Sequence, residues 1–376
     1  MTEPRNFQSV AFVALALVVT MAMPPGVAAQ PSQKQNVFEV HDVDVDVTAD
    51  AADQARRQAL AKGKTLAFQR LLERLTLRIE HQGLPKLTPE EIDSYVNNFS
   101  VSDEKTSSVR YLARLTFRFK PKEIRGLLND SGFSFAETVS KPVLVLPVYQ
   151  AAGALILWDD PNPWRDAWAA RSKKQGLVPT NLPLGDLADI AAIGAEQAMD
   201  GDLQRLRAIA TRYGASDTLV VFGVLRVEAA KARRVLDVYF TRFGHQLQEQ
   251  TEVVSFPQAK GETVPQLLSR AANEMTYVVE DNWKRDNLLQ FSNSGVLPVV
   301  LPITGLKDWI AVRARLSGVA VIRRTELVLL SKGEVRLNLH FFGDTNQLAL
   351  ALEQADLKLA QDEGKWVLAP AGTKRQ

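Results

Sequence analysis

Apolar and polar positions alternate in twos through NVFEVHDVDVDVT, residues 36–48, which predicts a strand. A helical period follows in ADAADQARRQALAKGKTLAFQRLLERL, with Asp50 placed to cap it and Asp53 in its first turn. Ala52, Ala55, Ala59, Gly63 and Leu66 recur on one side of that helix. Such a stripe of small residues lets a helix sit close to a sheet. It would also explain a helical glycine that costs roughly 1 kcal/mol. VRYLARLTFRF returns to period two, with Val109, Tyr111, Ala113, Leu115, Phe117 and Phe119 on one face and Arg110, Arg114 and Arg118 on the other. A short helix, KEIRGLLNDSG, is expected from Pro121 onward. The first unit therefore reads strand, helix, strand, helix over residues 36–138.

The second unit, residues 140–290, opens on KPVLVLPVYQ, a nearly continuous apolar run that suits a strand buried on both faces. LGDLADIAAIGAEQAMDGDLQRLRAIATRYGA reads as helices around a break at Asp200-Gly201. DTLVVFGVLRV, RVLDVYFTRF and QEQTEVVSF read as three successive strands, and VPQLLSRAANEMTYVVEDNWKRDN as a closing helix. The third unit, residues 295–370, runs GVLPVVLPI, LKDWIAVRARLSG, VAVIRRTELVLLS, GEVRLNLHFF, DTNQLALALEQADLKLA and GKWVLAP. That order is β-α-β-β-α-β, which is ferredoxin-like. The fold class expected is α+β, three small α/β-sandwich-type units in series.

The N-terminus has a different pattern. It is apolar from Val10 to Met23, breaks at Pro-Pro-Gly, and places Val27 and Ala29 as small residues ahead of Gln30. The run is shorter than the roughly 20 residues a bilayer span needs. It fits a secretory signal over residues 1–29, cut after Ala29, in an exported, periplasmic protein. The alternative is an uncleaved anchor in the inner membrane, which Glu3 beside Arg5 leaves open. No later stretch is long and apolar enough to span.

Composition narrows the chemistry. The 376 residues contain no cysteine, which excludes disulfides, thiolate metal sites, a thiol nucleophile and a lipid-modified N-terminal cysteine. The net charge of +2, from 45 basic and 43 acidic residues, does not suggest a nucleic-acid partner. Arg323-Arg324, Lys173-Lys174 and KARR (Lys231 to Arg234) are dispersed and lack interleaved stacking aromatics.

Three motifs carry a resemblance. DEKTSSVRYLARLTFRF, ETVSKPVLVLPVYQ and LWDDPNPWRDAW together resemble an envelope family of proteobacteria, domain-of-unknown-function family 2066. The resemblance covers most of the chain after residue 30. It implies an exported Gram-negative protein and brings no reaction, cofactor or catalytic residue. In outline only, the first unit resembles small strand-helix modules of bacterial surface and secretion proteins. The middle unit, with ATRYGASDTLVVFGVL, resembles the N-terminal part of periplasmic translocation and outer-membrane assembly proteins.

Asp42, Asp44 and Asp46 alternate like calcium ligands, but the loop positions that would need glycine and glutamate hold Val47 and Asp53. On a strand these carboxylates stand roughly 6.6 Å apart. A charged face paired with Arg110, Arg114 and Arg118 fits better, and a bulge near His41 accounts for a slip in the alternation. AKGKT lacks the first glycine of a phosphate loop and lies within a helix. His41, His81, His245 and His340 have no metal-ligand spacing, and no serine sits in a G-x-S-x-G elbow.

ILWDDPNPWRDAW holds three of the six tryptophans, Trp158, Trp164 and Trp168, with Asp159, Asp160, Arg165 and Asp166 among them. One reading is a capped helix packed on its tryptophans, with Asn162 as N-cap and Pro163 at the first helical position. The other is a binding patch made of Trp158, Asp159, Asp160, Trp164, Arg165 and Trp168, because Trp and Arg dominate interface hot spots. The function expected is non-catalytic: an adaptor for another envelope protein, with no cofactor and no metal. An envelope hydrolase, or a periplasmic binder of lipid or a small ligand, is the alternative.

Overall fold

The computed structural model describes residues 36–171, 175–228, 233–244, 251–288, 294–362 and 364–371. The expected signal segment, Lys173-Lys174, Lys231 and His245 lie outside them. The protein is α+β, with three sheets, one in each of three successive stretches of chain.

The first stretch contains β1 (Glu39–Thr48), α1 (Ala52–Leu75), a 3-10 turn at Arg78–Gly83, α2 (Pro89–Ile92), β2 (Val96–Thr106), β3 (Arg110–Phe119) and α3 (Pro121–Asp130). Its antiparallel sheet has the order β1-β3-β2, with α1 packed against it. Val43, Val45, Tyr111, Ala113, Leu115, Phe117 and Phe119 are buried as their period-two spacing predicts, whereas Val109 is exposed. Ala55, Ala59 and Gly63 form the buried side of α1. A methyl group on Gly63 would lie 2.5 Å from Leu115 Cδ1 and 3.0 Å from Val45 Cγ1, so the close approach of helix to sheet requires glycine. The helix starts without a side-chain cap, and Ala51 rather than Asp50 occupies the capping position.

The aspartate row is the paired face expected. Arg110 Nη2 lies 2.6 Å from Asp46 Oδ2, and Arg114 Nε 3.1 Å from Asp44 Oδ1. Arg118 reaches Glu39 at 2.8 Å. The register slips between Val40 and Val43, which is the bulge beside His41. Strand β2 is an addition to the sequence reading. All but two of its residues are exposed, so no alternation reveals it.

The second stretch contains β4 (Val143–Ala151), β5 (Ala154–Ile156), α4 (Pro163–Ala170), β6 (Thr180–Asn181), α5 (Leu187–Ala192), α6 (Ala195–Met199), α7 (Leu203–Arg212), β7 (Asp217–Glu228), β8 (Arg233–Phe243), β9 (Thr251–Pro257) and α8 (Val264–Asp286). The sheet runs β5-β4-β7-β8-β9, with β6 beside β4. β4 and β7 are parallel, and β7, β8 and β9 form an antiparallel meander. Val143 and Val145 join the core under α4 and α8, while Leu144, Leu146 and Val148 join the core under α5 to α7. A strand buried on both faces explains why β4 reads as an unbroken apolar run.

The third stretch contains β10 (Ser294–Pro302), α9 (Leu306–Leu316), β11 (Ile322–Leu330), β12 (Glu334–Phe342), α10 (Thr345–Gln354), β13 (Leu357–Asp362) and β14 (Lys365–Pro370). The ferredoxin-like order holds through α10 and then changes. The segment expected as one helix breaks at Asp356, whose φ is +58°, and Leu357 begins an additional strand. β14 then inserts beside β10 in parallel and moves β13 to the edge, giving β11-β12-β10-β14-β13. A ferredoxin-like sheet would place an antiparallel strand next to β10.

From Asn36 onward the chain forms one compact unit. Buried residues of the first and third stretches form one contiguous cluster, and Val37 packs against both that cluster and the core beneath α8. Among the described residues no helix is long and apolar enough to cross a membrane.

Candidate docking surface on the middle sheet

The tryptophan-rich turn follows β5. Asn162 caps α4 by accepting from the Arg165 amide at 3.0 Å, and Pro163 occupies the first helical turn, as its sequence predicts. The capped helix directs two tryptophans inward. Trp164 is fully buried, and its Nε1–H donates to the Val221 carbonyl at 3.1 Å. Trp168 is 2% exposed, and its ring meets that of Trp164 edge-on, with centroids 5.8 Å apart. The expected patch of six residues is therefore corrected. Trp164 and Trp168 are core residues, because four-residue spacing on α4 faces both toward α8 and the sheet. Asp159 and Asp160 are exposed, and Trp158 and Arg165 are half-buried.

Trp158 and Arg165 border helix α5 through the Ile193 and Leu184 carbonyls. Helix α5 is inverted in polarity. Its one buried side chain is Asp189, at 0% exposure. Leu187 is 85% exposed, Ile190 49%, and the preceding Leu184 75%. Ala188 and Ala191 are exposed as well. A short helix burying a carboxylate and presenting aliphatic side chains gains nothing from the hydrophobic effect in isolation. Polar contacts must hold it, and they surround it.

Asp186 caps α5 by accepting from the amides of Ala188 and Asp189, both at 3.0 Å. Arg212 on α7 donates to Asp186 Oδ2 at 2.6 Å and also to Asp189. Asp189 accepts further from Tyr213 Oη at 2.6 Å and the Gly185 amide at 2.8 Å. Tyr213 Oη in turn accepts from the Leu184 amide at 2.9 Å. The tryptophan turn holds both flanks of the segment. Trp158 Nε1–H donates to the Ile193 carbonyl at 2.6 Å, and Arg165 donates to the Leu184 carbonyl while its guanidinium lies 6.0 Å from the centroid of the Trp158 ring. Arg212 holds the Asp186 carboxyl at about 2, mainly through its hydrogen bond and then through the Asp189 amide.

The sequence signal for this surface was slight. Leu184, Leu187 and Ile190 are spaced like core residues, and only the Asp186-Asp189 pair at helical spacing hinted at a polar inner face.

An enzyme site would place a carboxylate of raised pKa within a cleft. Two deeply buried carboxylates are indeed raised by burial, and both are engaged in structure. Glu137 receives two hydrogen bonds from Arg125, each 2.7 Å. Glu280 accepts from the amides of Leu177 and Val178 at 2.9 and 2.8 Å. Neither lines the cavity of about 220 Å³ between α6 and β7–β9, whose walls include Met199, Phe222, Tyr239 and Thr241. Ligand pockets typically occupy roughly 300–1,000 Å³. No cluster of three or more potential metal ligands occurs among the described residues. His41 and His340 each lie beside a glutamate, and His81 lies beside the Thr76 carbonyl.

No family model matches the sequence, and no curated protein matches it. Among solved structures, a PelC variant dodecamer from Paraburkholderia phytofirmans is similar over 40% of this chain and 94% of that chain, at 12% identity and a TM-score of 0.22.

Proposed function

We propose that the protein is an exported, non-catalytic docking protein of a Gram-negative envelope, a member of domain-of-unknown-function family 2066, and that it binds another envelope protein through α5 and the turn from Trp158 to Arg165. One observation carries the docking role. An aliphatic helix face stands in solvent, held there by Arg212 and Tyr213, which bond to the buried Asp189. Contiguous exposed apolar surface of this kind marks interaction sites. The network holds the segment in place without a partner, so binding need not first order it.

Export and family membership rest on the apolar Val10–Met23 run and on the three motifs that resemble the family. In this reading Trp158 and Arg165 position the surface, and Leu184, Leu187 and Ile190 make contact.

The test is site-specific photo-crosslinking in intact cells, with the crosslinking side chain at Asp159 or Leu187 and the exposed Lys260 as control. A discrete protein adduct is expected at the first two positions and not at the third. A folded, exported chain that gives no adduct at either position disproves the docking role.

A further inference from the structure

Carboxylates adjoin, along the chain, the residues that hold both ends of the α5 segment. Asp159 and Asp160 follow Trp158, which is bonded to the Ile193 end of the segment. Asp166 follows Arg165, which is bonded to the Leu184 end. Glu196 lies in the first turn of α6, just past Ile193. All four carboxylates are exposed, and none forms an ion pair among the described residues. The neighbouring cations are already engaged. Arg165 is held by the Leu184 carbonyl, Arg205 by Asp202 and the Ala192 carbonyl, and Arg212 by Asp186 and Asp189.

We infer that this surface takes an apolar protein segment flanked by lysine or arginine. The inference rests on the docking reading above and adds the chemistry of the partner. The aliphatic centre favours any apolar occupant, including a lipid surface. The flanking carboxylates discriminate between them. An anionic membrane would bring like charges toward these carboxylates, and the repulsion, which reaches over a Debye length of roughly 8 Å, opposes approach. A basic segment would be attracted over the same distance, associate faster at low salt, and pair with carboxylates that form no ion pair among the described residues.

The experiment uses the full chain with the crosslinking side chain at Leu187, and the captured segment is sequenced. A protein segment with apolar residues and an excess of Lys and Arg is expected. The double variant Asp159→Lys/Glu196→Lys, checked for folding by near-ultraviolet circular dichroism, should lower adduct yield about tenfold, and Asp159→Asn/Glu196→Gln should fall between. Purified protein should not sediment with phosphatidylglycerol vesicles. A lipid adduct, a neutral or acidic captured segment, an unchanged yield in the Lys variant, or vesicle binding abolished by Leu187→Asp would each overturn the inference while leaving the surface a docking site. Absence of any adduct at Leu187 would remove the docking surface, and this inference with it.

Discussion

Glu280 shows how little of a residue's role is visible along the chain. By residue type it would be expected on the solvent side of a long amphipathic helix. In the structure it is buried, and it fastens the chain at Leu177 and Val178 by accepting both amides. Gly176 passes so close that a methyl group there would collide with the carboxylate. Removing the carboxylate leaves two buried amides without an acceptor and takes a negative charge from beside Lys284 and Arg74. Glu280→Ala should therefore cost about 3 kcal/mol in a denaturant melt, within the range for breaking one side of a buried pair. Gly176→Ala should cost a similar amount by displacing the same group, and a loss under about 0.5 kcal/mol would show that the site relaxes freely. The aspartate row of β1 was legible for the opposite reason. Its partners, Arg110 and Arg114, share one face of a neighbouring strand, so period-two alternation on both strands suffices. Nothing in spacing connects Glu280 with an amide about a hundred residues earlier.

Elements were legible where their burial followed a period. The small-residue stripe of α1 and the alternation of β3 predicted their buried faces, and Gly63 received the packing role expected. Strand β2 escaped because both its faces meet solvent, and β13 because Leu357 and Leu359 continue the apolar content of α10. Helix α5 exists where expected but turns the opposite face inward, since its burial is decided by Arg212 and Tyr213 rather than by its own leucines. That dependence is testable. The Asp186 carboxyl lies at about 2, below the ordinary 3.8, because Arg212 bonds its charged form. A depressed folded value means that the stabilisation is complete above about pH 4 and is lost as pH falls toward 2. The Ala188 and Asp189 amide resonances, whose protons bond to this carboxylate, should titrate with a midpoint near 2. In Arg212→Ala the midpoint should return toward 3.8, and α5 amides should exchange faster than in the unaltered chain because the segment loses its charged hydrogen bonds. Unchanged titration and exchange would mean that α5 is held by something other than this network.

At the scale of the whole molecule, three units in series suggest beads that melt separately, but the polar contacts between them favour one body. Arg74, at the end of α1, donates to the Val37 and Glu39 carbonyls of its own unit at 2.7 and 2.8 Å. It also donates to the Gln175 carbonyl of the middle unit at 2.7 Å. Lys284 of α8 returns the contact by donating to the Glu73 and Thr76 carbonyls. Trp283 Nε1–H closes on the Thr138 carbonyl at 2.7 Å, at the junction between the two. On the other side, Lys141 pairs with Asp356 at 2.7 Å and its amide donates to Gln354, which ties the start of β4 to the third unit. Burial lowers the Arg74 guanidinium to about 10, so it remains charged at neutral pH and must keep its acceptors. Separating the first and middle units would break the Arg74 bond to the Gln175 carbonyl and the Lys284 bonds to the Glu73 and Thr76 carbonyls, leaving two buried cations short of acceptors. The intact chain should therefore melt in one calorimetric transition, with calorimetric and van't Hoff enthalpies in agreement. Arg74→Ala should destabilise by about 3 kcal/mol and split that transition, with the first unit leaving before the other two. Two transitions in the unaltered chain would show that these contacts join the units without coupling their folding. A single unshifted transition in Arg74→Ala would assign the coupling to the shared apolar cluster between the first and third units instead.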